Sequence, residues 1–185
     1  MTDDVIKNCR QEMEATVKAF QKELSHVRTG RATTALLDGI HVEYYGAQMP
    51  LNQVATLTVP DATLLVIQPF DKSAMQAIEK AIQASDLGLN PQNDGKVIRV
   101  PIPPLNEERR KELVKHCRKL AEEYRVSTRN HRRDALEMLK ELEKEKTITQ
   151  DDHRHGHDKV EALTKEFVEK IDHLLKAKEQ EIMAV

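Results

Sequence analysis

The sequence contains no tryptophan and only three tyrosines and three phenylalanines among 185 residues, so an aromatic-rich β core is not expected. Its two cysteines, Cys9 and Cys117, are too few for a disulfide framework, and we expect both to be small core residues. No apolar run is long enough to cross a bilayer, and the acidic start Met1–Asp4 does not resemble a secretory signal. These absences favour a cytoplasmic setting without a membrane partner.

The sequence also lacks the common motifs of catalytic and nucleotide-binding sites. It has no GxxxxGK[ST] phosphate loop, no GxGxxG turn and no HExxH pair. His153, His155 and His157 alternate near the start of a predicted helix, a spacing that a metal-dependent hydrolase could use. Gly156 and the exposed polar surroundings favour a solvated helix start instead. We therefore expect no enzyme activity, no metal and no cofactor.

Three long segments repeat apolar residues at spacings of three and four, the pattern of one buried helix face. The first extends from Ile6 to Val27, the second from Leu113 to Leu142 and the third from Val160 to Ile182. Thr149 and Asp152 form a capping box that predicts the start of the third helix. Because one helix cannot bury a narrow apolar seam alone, the segments predict an antiparallel three-helix bundle.

Between residues 31 and 104 the apolar period shortens to two, as in half-buried strands. The predicted strands are residues 40–44, 55–59, 64–70 and 96–102. A short helix should begin near Asp71 or Ser73, where Ser73 and Gln76 indicate a capping box, and end before Gly88. The fold class is therefore α+β, with a discontinuous bundle of residues 1–30 and 105–185 and an inserted β/α/β domain of residues 31–104.

Two chain crossings connect the predicted domains. Thr29, Gly30 and Arg31 form one crossing, and Pro103 and Pro104 lie in the other. Glycine widens the backbone freedom of the first, while the prolines stiffen the second. We expect these residues to form a hinge; the alternative is an ordinary pair of fixed loops.

The second long helix carries its arginines on one side. At 100° per residue, five of them project within a sector of about 100°. We call them the arginine face: Arg110, Arg118, Arg125, Arg129 and Arg132. Four acids project well away from it: Glu123, Asp134, Glu137 and Glu141. Residues 105–133 hold ten Lys or Arg against five Asp or Glu, although the whole chain has a net charge of −2. The helix is thus expected to keep its positive face apart from its acids.

Such a face suits a large polyanion, since neighbouring arginines repel one another and arginine binds phosphate with two parallel hydrogen bonds. It is about 33 Å long at 1.5 Å per residue and carries almost no aromatic side chains. This combination favours recognition of folded RNA by backbone and shape over stacking on single strands. The structural alternative is that these are ordinary charges of an exposed helix.

Several segments, in order along essentially the whole chain, resemble signatures of the ribosome recycling factor family. They are residues 27–32 (VRTGRA), 36–40 (LLDGI), 42–46 (VEYYG), 85–91 (SDLGLNP), 98–101 (IRVP), 104–111 (PLNEERRK) and 129–135 (RNHRRDA). Each motif alone is weak, but several with compatible spacing make the resemblance specific.

The resemblance implies a protein that binds the post-termination ribosome. With elongation factor G and its GTP, it would promote disassembly into subunits and release mRNA and tRNA, hydrolysing nothing itself. It also implies two domains arranged as an L, whose smaller member swings about the hinge. The implied contacts to large-subunit rRNA match Arg110, Arg129 and Arg132, with Arg133 and Arg28 as further candidates. We add Arg125 as a member of the arginine face and expect a monomer.

Two features depart from the family pattern. His131 stands where an aliphatic residue is usual, and residues 153–157 are richer in histidine than expected. We expect His131 to be a packed, hydrogen-bonded core residue. An alternative function is a non-ribosomal coiled-coil adaptor, whose activity would depend little on Arg132.

Overall fold

The computed structural model describes residues 1–184 and contains, within them, five α-helices and six strands. The helices are α1 (Thr2–Ser25), α2 (Leu51–Val54), α3 (Met75–Ala84), α4 (Glu107–Lys144) and α5 (Gln150–Met183). The strands are β1 (His41–Tyr44), β2 (Ala47–Pro50), β3 (Ala55–Asp61), β4 (Leu64–Pro69), β5 (Gln92–Asn93) and β6 (Ile98–Pro101). The chain divides into two compact units, one of Met1–Leu24 with Lys111–Ala184 and one that includes Ser25–Arg110.

The apolar stripes of α1, α4 and α5 form the core of the helical unit. Cys9 and Met13 of α1, Leu139 of α4, and Val160 and Phe167 of α5 are each at most 2% exposed. A short turn after α4 reverses the chain, so α5 runs antiparallel to α4. The predicted three-helix bundle is confirmed.

The predicted capping box at the start of α5 is also confirmed. The Thr149 hydroxyl accepts from the Asp152 amide at 3.1 Å, and the Asp152 carboxylate accepts from the Thr149 amide at 3.0 Å. Two backbone donors that the first turn cannot satisfy internally are thereby paired.

The environment of Gly156 differs from the prediction. Gly156 is buried rather than solvated, because α5 passes close to the start of α1 and to α4. A Cβ atom at this position would lie 2.9 Å from Thr2 Cγ2 and 3.0 Å from Leu139 Cδ1. The polar residues next to Gly156 in the sequence lie on the other faces of α5. For this reason the sequence pattern did not indicate that Gly156 is packed.

His131 is packed and hydrogen-bonded, as expected. Its Nδ1 lies 3.1 Å from Glu12 Oε2, and its Nε2 lies 3.1 Å from Thr16 Oγ1. The Thr16 hydroxyl donates to the Glu12 carbonyl at 2.9 Å. Through these contacts His131 joins α4 to α1.

The second unit contains an antiparallel sheet in the order β3-β4-β6-β5 and a separate β1-β2 hairpin. Leu65 and Ile67 of β4 alternate with exposed or half-buried neighbours and belong to one core with Ile78 and Ile82 of α3. The four predicted strands are present, with ends shifted by up to two residues. The inserted domain is therefore built on the predicted alternation.

Four local features differ from the expectations. Three elements are not indicated by the sequence pattern: β2, the two-residue β5 and the single turn α2. The cap before α3 is Asp71, whose carboxylate accepts from the Ser73 amide at 3.0 Å, so the predicted Ser73–Gln76 capping box is wrong. Asp71 caps a 3₁₀ turn that precedes α3, and the N-cap of α3 itself is Ala74, which has no side chain that could accept a hydrogen bond.

We expect Gly156→Val to destabilise the helical unit by about 1–3 kcal/mol, because the added atoms overlap the buried Leu139 side chain. Lys159→Val is the matched control, since it places the same β-branched residue at an exposed position of α5. Chemical denaturation of both variants measures the difference. Equal losses would show that Gly156 is not required by packing.

The hydrogen bonds of Asp94 predict that the stability of the sheet unit depends on pH. Hydrogen bonds from the Val97 and Lys96 amides, reinforced by Arg99, lower the pKa of Asp94 to about 2 from an ordinary 3.8. The ionised carboxylate therefore stabilises the folded unit above about pH 4, and this contribution is lost as the pH falls toward 2. We expect Asp94→Ala to lower stability at neutral pH and the deficit to shrink across that window. A deficit independent of pH in denaturation experiments would contradict this.

Candidate nucleic-acid interface

The arginine face lies on a single continuous helix, α4, of 38 residues. Arg118, Arg125, Arg129 and Arg132 lie in the helical unit, whereas Arg110, in the first turn of α4, is grouped with the sheet unit. Arg133 is exposed on the same helix. Within the helical unit, α4 thus presents its basic residues in a fixed register at 1.5 Å per residue.

Three arginines of the face form ion pairs with α5. The pairs are Arg118 with Glu179 at 2.6 Å, Arg125 with Asp172 at 2.6 Å, and Arg132 with Glu161 at 3.6 Å. The arginines are seven residues apart, the spacing at which positions beside an apolar seam face a neighbouring helix. These pairs form a ladder along the seam between α4 and α5.

Glu122 lies at the edge of the arginine face, about 20° beyond its sector at 100° per residue. Its Oε2 accepts from Arg125 at 3.1 Å, and its Oε1 accepts from Arg129 at 3.2 Å. The prediction that the acids are kept apart from the arginines is therefore wrong in two respects. Projection of α4 alone cannot show the acids of α5, and it leaves out Glu122, three residues before Arg125 and seven before Arg129.

The arginines differ in how far they are committed to internal partners. Arg125 is only 20% exposed, and its Nε, Nη1 and Nη2 atoms all contact Asp172 or Glu122. Arg129 is 48% exposed and uses Nη1 alone, for Glu122. Arg132 is 37% exposed, with one long contact to Glu161. Arg125 is thus a structural tie, while Arg129 and Arg132 keep donors for a ligand.

The charges of this cluster are stable at neutral pH. Hydrogen bonds from Arg125 and then Arg129 lower the pKa of Glu122. Burial works to lower the pKa of Arg125, but hydrogen bonds to Asp172 and Glu122 outweigh it and raise that pKa. The face therefore meets a ligand as a fixed set of paired and partly paired guanidinium groups.

The remaining predicted site residues lie in the sheet unit. Arg28 donates from Nη1 to the Leu87 carbonyl at 3.0 Å, so its guanidinium is held internally. Thr29 is buried, and Gly30 has φ +79° with the site of its missing Cβ 3.3 Å from Leu105 Cγ. A side chain at residue 30 would be strained by this φ value. The other hinge candidates, Arg31, Pro103 and Pro104, are exposed.

The histidines near the start of α5 pair with single acids. His153 Nδ1 lies 2.7 Å from Glu143, and His157 Nδ1 lies 3.6 Å from Asp158. Across residues 1–184, no group of three or more His, Cys, Asp or Glu is arranged to hold a metal ion. In the same range, no helix is long and apolar enough to cross a membrane.

Comparison with known proteins gives a consistent result along the chain. The family model "Ribosome recycling factor" matches residues 20–183. The chain is 54% identical over 185 residues to the ribosome-recycling factor of Carboxydothermus hydrogenoformans and 52% identical over 185 residues to that of Symbiobacterium thermophilum. Both alignments cover 100% of each protein.

Solved structures agree. A solution structure of a ribosome recycling factor matches with a TM-score of 0.82 at 44% identity, covering 100% of this chain and 98% of that one. A second match has a TM-score of 0.68 at 47% identity and covers 98% of both chains. It belongs to models of the T. thermophilus ribosome recycling factor and E. coli elongation factor G bound to the E. coli post-termination complex.

Because the arginines differ in burial and in the number of bonds they form, we expect their ion pairs with α5 to have different coupling energies. In double-mutant cycles with alanine, we expect Arg125 and Asp172 to couple by about 1 kcal/mol, near the upper end for exposed pairs, because Arg125 is half-buried and bonded through two nitrogens. Arg118 and Glu179 should couple clearly less, since Arg118 is 66% exposed and water screens its charge. Unfolding free energies measure both, and equal coupling would contradict the assignment of Arg125 as a structural tie.

Proposed function

The chain belongs to the ribosome recycling factor family, and on that premise we propose that it binds the post-termination ribosome. With elongation factor G and the GTP bound by that factor, it promotes disassembly into subunits and releases mRNA and tRNA. The related factor that was placed on a post-termination complex with elongation factor G supports both partners. As a member of this family the protein is a translation factor and not an enzyme. We also propose that the protein is located in the cytoplasm and that it is a monomer.

The proposed docking mode rests on one observation: the arginines of the face differ in how exposed they are and in how many of their nitrogens are already bonded within the protein. We propose that Arg129, Arg132 and Arg133, with Arg110 in the first turn of α4, contact phosphates of large-subunit rRNA. Each of the first three is at least one third exposed. Arginine donates to phosphate in a planar, two-bond geometry that lysine cannot reproduce. Arg125 and Arg28, also predicted as RNA contacts, would instead hold the surface in shape.

Recognition of RNA backbone and shape fits the rest of α4. Tyr124, the aromatic residue of this helix, is half-buried with its ring 5.2 Å from that of Phe20. It is therefore occupied in the bundle and not presented for stacking on bases. Neutralising phosphates releases counterions, so binding should weaken steeply with salt. A coiled-coil adaptor with no ribosomal partner has no support from the family membership.

We propose the two chain crossings, at residues 29–31 and 103–104, as the hinge between the bundle of residues 1–30 and 105–185 and the domain of residues 31–104. The compact units of the structure divide a few residues outside these crossings, after Leu24 and after Arg110. Glycine at residue 30 supports the hinge, because it adopts φ +79° without strain and has wider backbone freedom than any other residue. Pro103 and Pro104 stiffen the second crossing.

Arg132→Ala should weaken binding to purified large ribosomal subunits at least about tenfold, the loss expected for charge-assisted hydrogen bonds. It should also reduce the slope of log affinity against log salt by about one, while the melting temperature changes little. Lys119→Ala removes one positive charge from an exposed position of the same helix, about 140° around it from Arg132, and is the control, with a smaller expected loss. Equal effects of the two variants would contradict a localised contact.

The function itself is tested with post-termination complexes split in the presence and absence of elongation factor G and GTP. We expect release of mRNA and tRNA only when this protein, the factor and GTP are all present. Splitting that proceeds equally without this protein would overturn the proposed function.

A further inference from the structure

Glu122 joins two arginines that have different tasks. One carboxylate oxygen is bonded to Arg125 and the other to Arg129, at 3.1 and 3.2 Å. Arg125 is in turn fastened to α5 through Asp172 at 2.6–2.8 Å. A continuous chain of charged contacts therefore runs from α5 through Arg125 and Glu122 to Arg129.

This chain restrains the position of Arg129 through one exposed contact to Glu122. The carboxylate lies seven residues before Arg129, so it draws the guanidinium along the helix toward its N-terminus, the direction that helical side chains favour. Within residues 1–184, Arg129 Nε and Nη2 form no hydrogen bond, so these two donors stay available for a ligand. Arg129 is therefore held through one nitrogen, Nη1, and offers its other two nitrogens to a ligand.

Holding an arginine in place has two opposite consequences for binding. An unrestrained arginine loses side-chain entropy when it contacts a phosphate, and a positioned one has already lost it. The carboxylate also offsets one positive charge, which weakens attraction to any polyanion whatever its shape. Glu122 should therefore favour RNA that matches the fixed geometry over RNA that offers charge alone.

We propose that Glu122 is a positioning and specificity-determining residue of the arginine face, acting on rRNA through Arg129. The assignment rests on the proposed function, since it presumes that the arginine face binds rRNA. It predicts opposite effects on matched and unmatched RNA when the charge of Glu122 is removed.

The test compares Glu122→Gln with Glu123→Gln, using purified large ribosomal subunits and an unrelated RNA duplex of about 30 base pairs as ligands. Both variants lose one negative charge from neighbouring exposed positions, but Glu123 projects 100° away around the helix. Both should bind the duplex more tightly. Only Glu122→Gln should bind the large subunit more weakly, by about two- to tenfold, the effect of ordering one arginine at binding. Melting temperatures should be alike.

A cycle with Arg129→Ala makes the assignment specific. In that background Glu122→Gln should no longer weaken large-subunit binding, because the arginine that it positions is absent. A loss that persists there, or equal effects of Glu122→Gln and Glu123→Gln on large-subunit binding, would overturn the positioning role alone. Binding of the unaltered protein to large subunits that does not depend on salt would overturn the proposed docking, and this role with it.

Discussion

Burial of the apolar seam of α4 is the constraint on which the other features of the helical unit depend. The seam is narrow, and it becomes dry only because α1 covers it from one side and α5 from the other, with Cys117, Thr128 and Leu139 fully buried. Once both neighbours are seated, one broad side of α4 stays in water. The arginine face borders α5 for this reason, and so the acids of α5 come within reach of its guanidinium groups.

The elements that could be predicted from the sequence are those in which many residues repeat one signal. The seams of α1, α4 and α5 persist for many turns, and the capping box at Thr149 and Asp152 is complete within four residues. The missed elements are short: β2 has four residues and pairs with β1 through a turn in which Tyr45 has φ +49°. Such a turn is set by the hairpin and by Gly46, and a tyrosine gives no sign of it.

The arginines of the candidate site could be found from the sequence, but their partners could not. Angular position on one helix follows from a period of 3.6, whereas the register between two helices follows from packing. Nothing in α4 indicates that Arg125 lies opposite Asp172 or that Arg132 lies near Glu161. A helical projection of α4 could have shown that Glu122 is near Arg125 and Arg129, since all three lie close together in the sequence.

Acidic residues within the protein change how the positive charge of the arginine face is interpreted. Five guanidinium groups on one side of a helix look like an excess of charge that only a polyanion could balance, yet most of them are balanced within the protein. Exposed ion pairs contribute at most about 1 kcal/mol, so a phosphate can replace the carboxylate at Arg132, where the contact is long. The half-buried, doubly bonded pair of Arg125 and Asp172 is much harder to exchange. Burial, more than the spacing of the arginines, therefore separates Arg125, which holds α4 against α5, from Arg129 and Arg132, which keep exposed donors.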